Sequence, residues 1–431
     1  MKTDKFTYVV TCLLSYLIGT AQTFHGFGSS KYAGAQNVMF NPALIGSSPN
    51  KIDIHLVSFH TALGSDYTYF TFKDGLGFRD GFKFGEQQSA AKEDNNFYRT
   101  VDFLGPSVMY QINRNHSVGI NTRLRGIFNV NNFDGRLFEN VNEGFFDLDD
   151  FTTQINDFST TIHVWGELGV TYGYTLDNVN YSLTVGATVK RLEGVGSVYA
   201  YSEDIEATFN PQDRTLSTSG ELTFGETRDF TTNDFELKST SNGLGFDLGI
   251  AFETDYLDFL NGHSFRMGIS VHDIGSLNYE NATAEIYNLD DTVDATVFQD
   301  EDVKVAVDKN YDGTAETEDQ RINLPTSLRV FMDMGIAENW YVGLETSTSL
   351  VRKTAKNRNR IANYYTLNPR FEKKWISIYS PITLQQHTGI TWGLGLRAGI
   401  IVLGSQSLVS NVVSASRVTD IYAGIRVPIY K

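Results

Sequence analysis

The stretch DKNYDGTAETED, from Asp308 to Asp319, spaces its oxygen-bearing side chains as a calcium-binding loop does. Side-chain oxygens stand at positions 1, 3, 5, 9 and 12, and a glycine at position 6 permits a sharp turn. Position 12 has aspartate, whose shorter arm reaches bidentate geometry less easily than the glutamate of an EF-hand. A single loop outside a cell is expected to bind at roughly 0.1 to 1 mM, the range of extracellular modules. The predicted ligands are Asp308, Asn310, Asp312, Thr314 through its main-chain carbonyl, Glu316 and Asp319.

The motif ends an acidic insertion, residues 278–322. Between Glu280 and Asp319, thirteen acidic residues accompany two lysines. This composition is also typical of a surface loop that does not order itself, in which Asp-Gly only makes a turn. Two hypotheses therefore stay open, a loop ordered by calcium and an acidic loop without metal.

The N-terminus is organised as an export signal. Lys2 and Lys5 precede an apolar run that is too short to span a bilayer, and small residues follow up to Ala21. We expect cleavage after Ala21, which leaves residues 22–431 as one domain. Cys12, the single cysteine, lies in the signal, so the mature chain has neither a disulfide nor a cysteine metal site.

Period-two alternation runs through most of the chain and indicates strands. One face of these segments is apolar, as in "IHVWGELGVTYGY" and "GLGFDLGIAFE". The other face is small or charged, and its members include Asp247, Glu253, Arg266, His272, Arg329, Asp333, Arg397 and Arg426. A soluble sandwich also alternates, but its polar face rarely favours glycine.

An exported chain with this alternation is predicted to be an all-β protein, a transmembrane antiparallel β-barrel of about 12 to 14 strands in the outer membrane of a Gram-negative bacterium. Short turns are expected on the periplasmic side, and long polar segments near residues 75–98, 130–160, 202–240, 278–322 and 352–374 outside. Aromatic residues are available for the two interfacial girdles: Trp165, Trp340, Tyr341, Trp375 and Trp392.

Two short motifs resemble known families. "GAQNVMFNPALIGSSPNKIDIHL", residues 34–56, is similar to the N-terminal signature of Bacteroidota outer-membrane barrels of unknown function. "HDIGSLNY" followed by "LPTSLRV" looks like a pairing in the wider group of PorP/SprF proteins of type IX secretion and gliding and of FadL-like transporters. The sharp motifs are Asn41-Pro42-Ala43 and Leu324-Pro325-Thr326.

Proline in Asn41-Pro42-Ala43 fixes its φ, lacks an N–H and disfavours the α conformation at Asn41, so this segment is predicted to be a rigid kink. One interpretation is a turn packed in the barrel mouth. The other, implied by the FadL-like resemblance, is a gate or hatch.

A basic segment follows two strands after the acidic one. It contains Arg352, Lys353, Lys356, Arg358, Arg360, Arg370, Lys373 and Lys374. It is interpreted as a lid closing on the acidic loop, as a binder of lipopolysaccharide phosphates, or as solvated charge.

Two functions remain. The type IX secretion resemblance implies a docking component that binds other envelope proteins, and this is the first interpretation. The alternative is a gated channel or FadL-like transporter for small or hydrophobic molecules, with a lumen lined by Arg123, Arg125, Glu167, Lys190, Asp247 and Arg266. Opposite charges on such a wall can also pair and seal it. No nucleophile and base stand at a readable spacing, so no enzyme is predicted, and the net charge of -16 argues against nucleic acid as a partner.

Overall fold

A computed structural model describes residues 26–70, 90–143, 145, 149–227, 238–257, 263–300, 303–352 and 359–431. The predicted signal, residues 1–21, lies outside these ranges. Twenty strands share one antiparallel sheet. They are β1 (Asn50–Ser65), β2 (Asn95–Leu104), β3 (Ser107–Gln111), β4 (His116–Phe133), β5 (Phe151–Asp177), β6 (Ser182–Asn210), β7 (Thr215–Glu226), β8 (Ser241–Leu257), β9 (His263–Asn288), β10 (Asp291–Asp294), β11 (Asp312–Asn323), β12 (Ser327–Ala337), β13 (Trp340–Ser349), β14 (Tyr364–Glu372), β15 (Ile376–Tyr379), β16 (Ile382–Gln385), β17 (Gly389–Trp392), β18 (Leu394–Ala398), β19 (Ile401–Ser405) and β20 (Val418–Tyr430).

Helices are few and short. Two 3-10 helices, Gly34–Met39 and Pro42–Ile45, precede β1. The α-helices are Gly135–Glu143, Val297–Asp300, Val303–Asn310 and Leu408–Val413. Among the described residues, none of the helices has the length and apolar character needed to cross a bilayer.

The sheet closes into a barrel. The last strand pairs with the first, from Asn50 with Tyr430 to Gly64 with Val418. Five pairs of consecutive strands, such as β2 with β3, each form one interrupted strand, and β10 stands apart beside β7. Within the described residues the ring therefore has fourteen strands, which confirms the predicted all-β barrel. Closure matters because an open edge cannot satisfy its backbone in lipid.

The alternation in sequence becomes the division between lipid and lumen. On β6, Val185 and Val189 face outward and are about half exposed, whereas Thr188 and Lys190 face inward and are buried. Arg191 is the first charged outward residue above this apolar belt and pairs with Glu193. The belt on β6 thus ends just below Arg191, after about the nine to eleven residues that a tilted strand needs to span the hydrocarbon.

Three strands continue far beyond the membrane. β5, β6 and β9 have 27, 29 and 26 residues, more than twice the spanning length. The segments near residues 202–240 and 278–322 were expected to be long loops. That expectation is wrong for most of their described length, because these segments pair as strands. With β7, β10 and the helices before β11 they enclose a separate apolar core: Phe145, Phe151, Ala207, Phe209, Leu216, Tyr287, Leu289, Val293, Ala295, Val307 and Tyr311. We call this part the outer lobe.

One stretch of wall is completed by a helix. β19 has five residues and pairs with β20 only up to Gly404. Above it the helix Leu408–Val413 lies beside β17, where Ser410 Oγ accepts from the main-chain N–H of Trp392 at 2.8 Å. Val412 and Val413 of this helix are 65% and 79% exposed. An apolar helix face thus replaces the missing strand at this level.

Candidate functional site

The lumen contains the chain's own N-terminal segment, residues 26–49, which we call the hatch. None of its residues is exposed, and it contacts inward-facing side chains around the ring, from β1 to β20. Its shape follows from its sequence. Gly34 has a φ of +59°, and a Cβ there would lie 2.3 Å from the Asp53 carboxyl carbon. Pro42 begins the second 3-10 helix, where a missing N–H costs nothing.

Asn41 anchors the hatch to the wall. Its side-chain oxygen accepts from Ala43 N at 2.9 Å, which caps the helix that Pro42 begins. Its amide donates to the main-chain carbonyl oxygens of Ile250 at 3.2 Å and Ile269 at 3.3 Å, on β8 and β9. The location predicted for this motif, a turn in the barrel mouth, is wrong, because Asn41-Pro42-Ala43 is buried inside the barrel. The predicted kink in the backbone of the motif is confirmed.

Charged wall residues hold the main chain of the hatch. Arg266 donates to the carbonyl of Ser29 at 2.6 Å, and Arg329 donates to that of Met39 at 2.5 Å. His272 Nε2 lies 2.8 Å from the carbonyl oxygen of Phe40. These bonds use carbonyls that the short 3-10 turns leave without partners. The wall therefore holds the hatch backbone in addition to its side chains, among which Ser29 and Ser30 donate to Glu345 and Glu372.

A network of buried charges crosses the lumen on the outer side of the hatch. Arg125 lies 3.0 Å from Glu167 and 2.8 Å from Asp273. Lys190 lies 2.7 Å from Asp273, 2.9 Å from Asp247 and 3.5 Å from Glu167. We call these five residues the charge network. They are at most 4% exposed, so each charge depends on its partners for stabilisation.

Above the charge network, apolar side chains from five strands and a linker form a bowl. Its members are Ile127, Trp165, Leu192, Leu277, Tyr279, Ile322 and Leu324, and Ile361 packs against them. Ile361 belongs to residues 359–363, which enter the barrel from outside. Asn129 Nδ2 donates to the carbonyl of Arg360 at 2.7 Å. Residues 359–363, which we call the mouth loop, thus pack on the bowl.

A small cavity lies between hatch and wall. It has a volume of about 20 Å³ and lies near Gln36, Phe40, Asp102 and Arg329. That volume suits about one water molecule. In this conformation the hatch, the charge network and the mouth loop occupy the lumen at three levels.

Several predicted positions hold. The six predicted lumen residues, Arg123, Arg125, Glu167, Lys190, Asp247 and Arg266, all face inward and are buried. All of them except Arg266 pair with opposite charges, as one alternative anticipated, whereas Arg266 donates to the carbonyl of Ser29. Trp340, Trp375 and Trp392 are about half exposed on the outer face.

Some assignments were wrong. Trp165 is fully buried in the lumen, because it shares the parity of His163 and Glu167 along β5. Tyr341 is not a girdle residue, since its ring lies 5.1 Å from the buried Arg370 guanidinium.

Three residues of the predicted basic loop also lie elsewhere. Arg370 belongs to the wall, since it lies in β14 with its guanidinium bonded to Asp333 at 2.6 and 2.7 Å. Lys373 and Lys374 follow β14 at the end opposite to the predicted loop, in the turn before β15. Lys353, Lys356 and Arg358 lie outside the described residues.

The six predicted calcium ligands are divided between two elements. Asp308 and Asn310 lie in the helix Val303–Asn310, whereas Asp312, Thr314, Glu316 and Asp319 lie along the exposed strand β11. The described residues contain no group of three or more acidic or histidine side chains arranged to hold a metal ion. Calcium binding would require this segment to rearrange, and it stays a prediction.

Asp308 has partners in the outer lobe. Its carboxylate contacts the Tyr287 hydroxyl and lies 2.5 Å from Lys304 Nζ, while Tyr287 also contacts Glu285. Burial, and then the hydrogen bonds to Asp308 and Glu285, raise the pKa of Tyr287 above its ordinary value. The first predicted ligand therefore helps to join β9 to the helix before β11.

A closed ring of strands, an apolar outer belt and a lumen filled by the N-terminal segment together define a plugged transmembrane β-barrel of the outer-membrane type. The chain belongs to the family of unknown function DUF5723, whose model matches residues 42–406. A search of curated protein sequences finds no significant match.

Solved barrels of similar architecture exist. The toluene transporter TodX of Pseudomonas putida has 10% sequence identity and a TM-score of 0.46, over 95% of this chain and 98% of that one. A FadL homologue of Pseudomonas aeruginosa has 10% identity and a TM-score of 0.44, over 95% and 98%. The toluene transporter TbuX of Ralstonia pickettii has 9% identity and a TM-score of 0.45, over 92% and 94%.

Proposed function

We propose that this protein is a gated channel for small, largely apolar molecules in the outer membrane of a Gram-negative bacterium, and that it is not an enzyme. One observation carries the proposal. The lumen is filled by a segment of the chain that is held without covalent links to the wall, by hydrogen bonds and buried apolar side chains, so its displacement would open the lumen.

The contacts of the hatch suit a gate. A hydrogen bond that water can replace contributes only about 0.5–1.5 kcal/mol net, and somewhat more when one partner is charged. Arg266, His272 and Arg329 donate to hatch carbonyls, and in an opened lumen each of them would donate to water instead. These three wall residues would therefore keep a hydrogen-bond partner when the hatch is displaced.

Conductance of the purified protein in planar bilayers tests this function. The double variant Arg266→Met and Arg329→Met removes two hatch bonds while it keeps apolar volume in the wall. We expect rare openings in the wild-type protein and frequent openings in this variant. Equal, featureless current in both would reject the gated channel.

A control removes an ion pair on the outer face of the barrel. Arg191 and Glu193 pair there, on β6, away from the lumen. The double variant Arg191→Met and Glu193→Leu changes two charged groups without removing a hatch bond, and its conductance should stay near that of the wild type.

The outer lobe favours a second candidate, a docking component for envelope proteins. Its apolar core of helices and strands exceeds what a channel needs at its mouth. Three predictions belong to this function: a relation to type IX secretion or gliding, an origin in Bacteroidota, and binding of lipopolysaccharide by basic residues.

A shortened lobe tests docking. Asn288 pairs with Asp312 across β9 and β11, so a two-residue Asn-Gly turn can replace residues 289–311. Partners that co-purify with the tagged wild-type barrel and are lost from this variant would support docking. An unchanged set of partners would count against it.

A further inference from the structure

The bowl above the charge network is an apolar site within a mostly polar lumen. Neighbouring glycines make room for it. A Cβ at Gly194 would lie 2.5 Å from the Tyr279 hydroxyl oxygen, and a Cβ at Gly245 would lie 3.2 Å from Leu324 Cδ1. The indole of Trp165 stacks on His163 with ring centroids 4.7 Å apart, and the Arg125 guanidinium lies 4.8 Å from the indole. Small residues on adjacent strands thus allow aromatic and aliphatic side chains to pack closely here.

This surface is occupied by the chain itself. Ile361 is 4% exposed against the bowl, and two residues earlier the Asn359 amide lies 2.8 Å from His163 Nδ1. The other ring nitrogen of His163 lies 2.9 Å from the Tyr279 hydroxyl. The loop therefore presents to the bowl one apolar group and one hydrogen-bonding group.

We infer that the bowl is a binding site for small uncharged molecules with an apolar body and one hydroxyl or amide group, which displace Ile361 and Asn359 and bond His163. This inference rests on the proposed channel and names its substrate class. A charged ligand is disfavoured because the apolar side chains of the bowl offer no counter-charge, whereas the charges below it are already paired.

Trp165 makes the site measurable. It is the tryptophan inside the barrel, and the other three of the chain lie on the outer face. In full-length protein with Trp340, Trp375 and Trp392 changed to Phe, we would titrate 4-bromophenol, whose bromine quenches tryptophan fluorescence. Saturable quenching of Trp165 is expected. A variant that keeps only Trp392 reports partition into detergent or lipid, and its quenching should rise linearly.

Two substitutions in this background separate a ligand site from a structural core. Ile361→Gly removes the competing side chain and should tighten 4-bromophenol binding by about tenfold, a fraction of the burial energy of an isoleucine. His163→Phe keeps an aromatic ring and removes the polar partner, so it should weaken 4-bromophenol by about tenfold and leave bromobenzene unchanged.

Linear quenching of Trp165, or equal affinity with and without Ile361, would overturn the inference. If Ile361→Gly fails to fold, Asn359→Ala gives the same comparison, because it removes the competing polar group. The proposed channel and the proposed binding site can be rejected independently. Saturable binding without conductance rejects the channel, whereas conductance without saturable binding rejects the bowl.

Discussion

Asn41 occupies the space that a side chain at Gly249 would need, since a Cβ on Gly249 would lie 2.1 Å from Asn41 Oδ1. Gly249→Ala should therefore push the hatch from its seat. Overpacking costs about 1–3 kcal/mol, and 1.4 kcal/mol shifts an equilibrium about tenfold, so the open fraction in single-channel recordings should rise by about that factor. Gly166→Ala is the control, because a Cβ there meets nothing closer than 3.9 Å.

Asn41→Asp tests the bonds of the same residue without a change of shape. A carboxylate cannot donate to the carbonyls of Ile250 and Ile269 and would be repelled by both. We expect more frequent opening than in Asn41→Ala, which loses the donor without adding charge. Recordings in which the two variants match would assign the anchoring to Pro42 and its neighbours instead.

Lys190 is expected to be the most sensitive member of the charge network, because it contacts three carboxylates. Lys190→Met leaves Glu167 and Asp273 with Arg125, and Asp247 with His272. It should lower the free energy of unfolding by about 3–5 kcal/mol, measured by guanidinium titration in detergent. Asp273→Asn in the same chain should restore part of the loss.

The next residue along β6 supplies the control. Arg191 pairs with Glu193 on the outer face, and its side chain is 68% exposed. Arg191→Met should cost no more than about 1 kcal/mol. Equal losses at positions 190 and 191 would contradict the stabilising role of the network.

Calcium is tested by calorimetry on the mature protein. If the segment from Asp308 to Asp319 rearranges around the ion, the dissociation constant should be roughly 0.1 to 1 mM and should be lost in Asp312→Asn with Asp319→Asn. Asp290→Asn with Asp291→Asn removes the same charge outside the motif and should bind as the wild type does. Equal loss in both pairs would indicate general charge attraction.

Strand alternation predicts the barrel well because lipid and lumen impose opposite demands on successive residues. The prediction fails where a bulge interrupts the period-two alternation of a strand. Asp273 follows the inward His272 and would face lipid in a regular strand. A bulge opposite β8 and a φ of +58° turn Asp273 inward as well, into the charge network. No sequence signal marks such a bulge.

The sequence predicts the backbone shape of the hatch but not its position. Asn-Pro-Ala predicts a kink, but its depth in the lumen depends on wall positions such as Gly186 and Gly249, which are far away in sequence. Gly249 alternates with apolar residues and so stands on the small face of its strand, but this pattern does not indicate Asn41 as its partner. The mouth loop was missed because Asn359 and Ile361 stand in a polar segment whose local pattern indicates only an exposed loop.

The seam between β1 and β20 lies where the hatch joins the wall. The hatch leads directly into β1 at Asn50, and Arg426 on β20 reaches Asp53 beside it at 3.0 Å. Once the last strand has paired with the first, the hatch is enclosed by a continuous hydrogen-bonded wall. Docking of the C-terminal strand therefore also forms the ion pair that fixes the point where the hatch joins the wall.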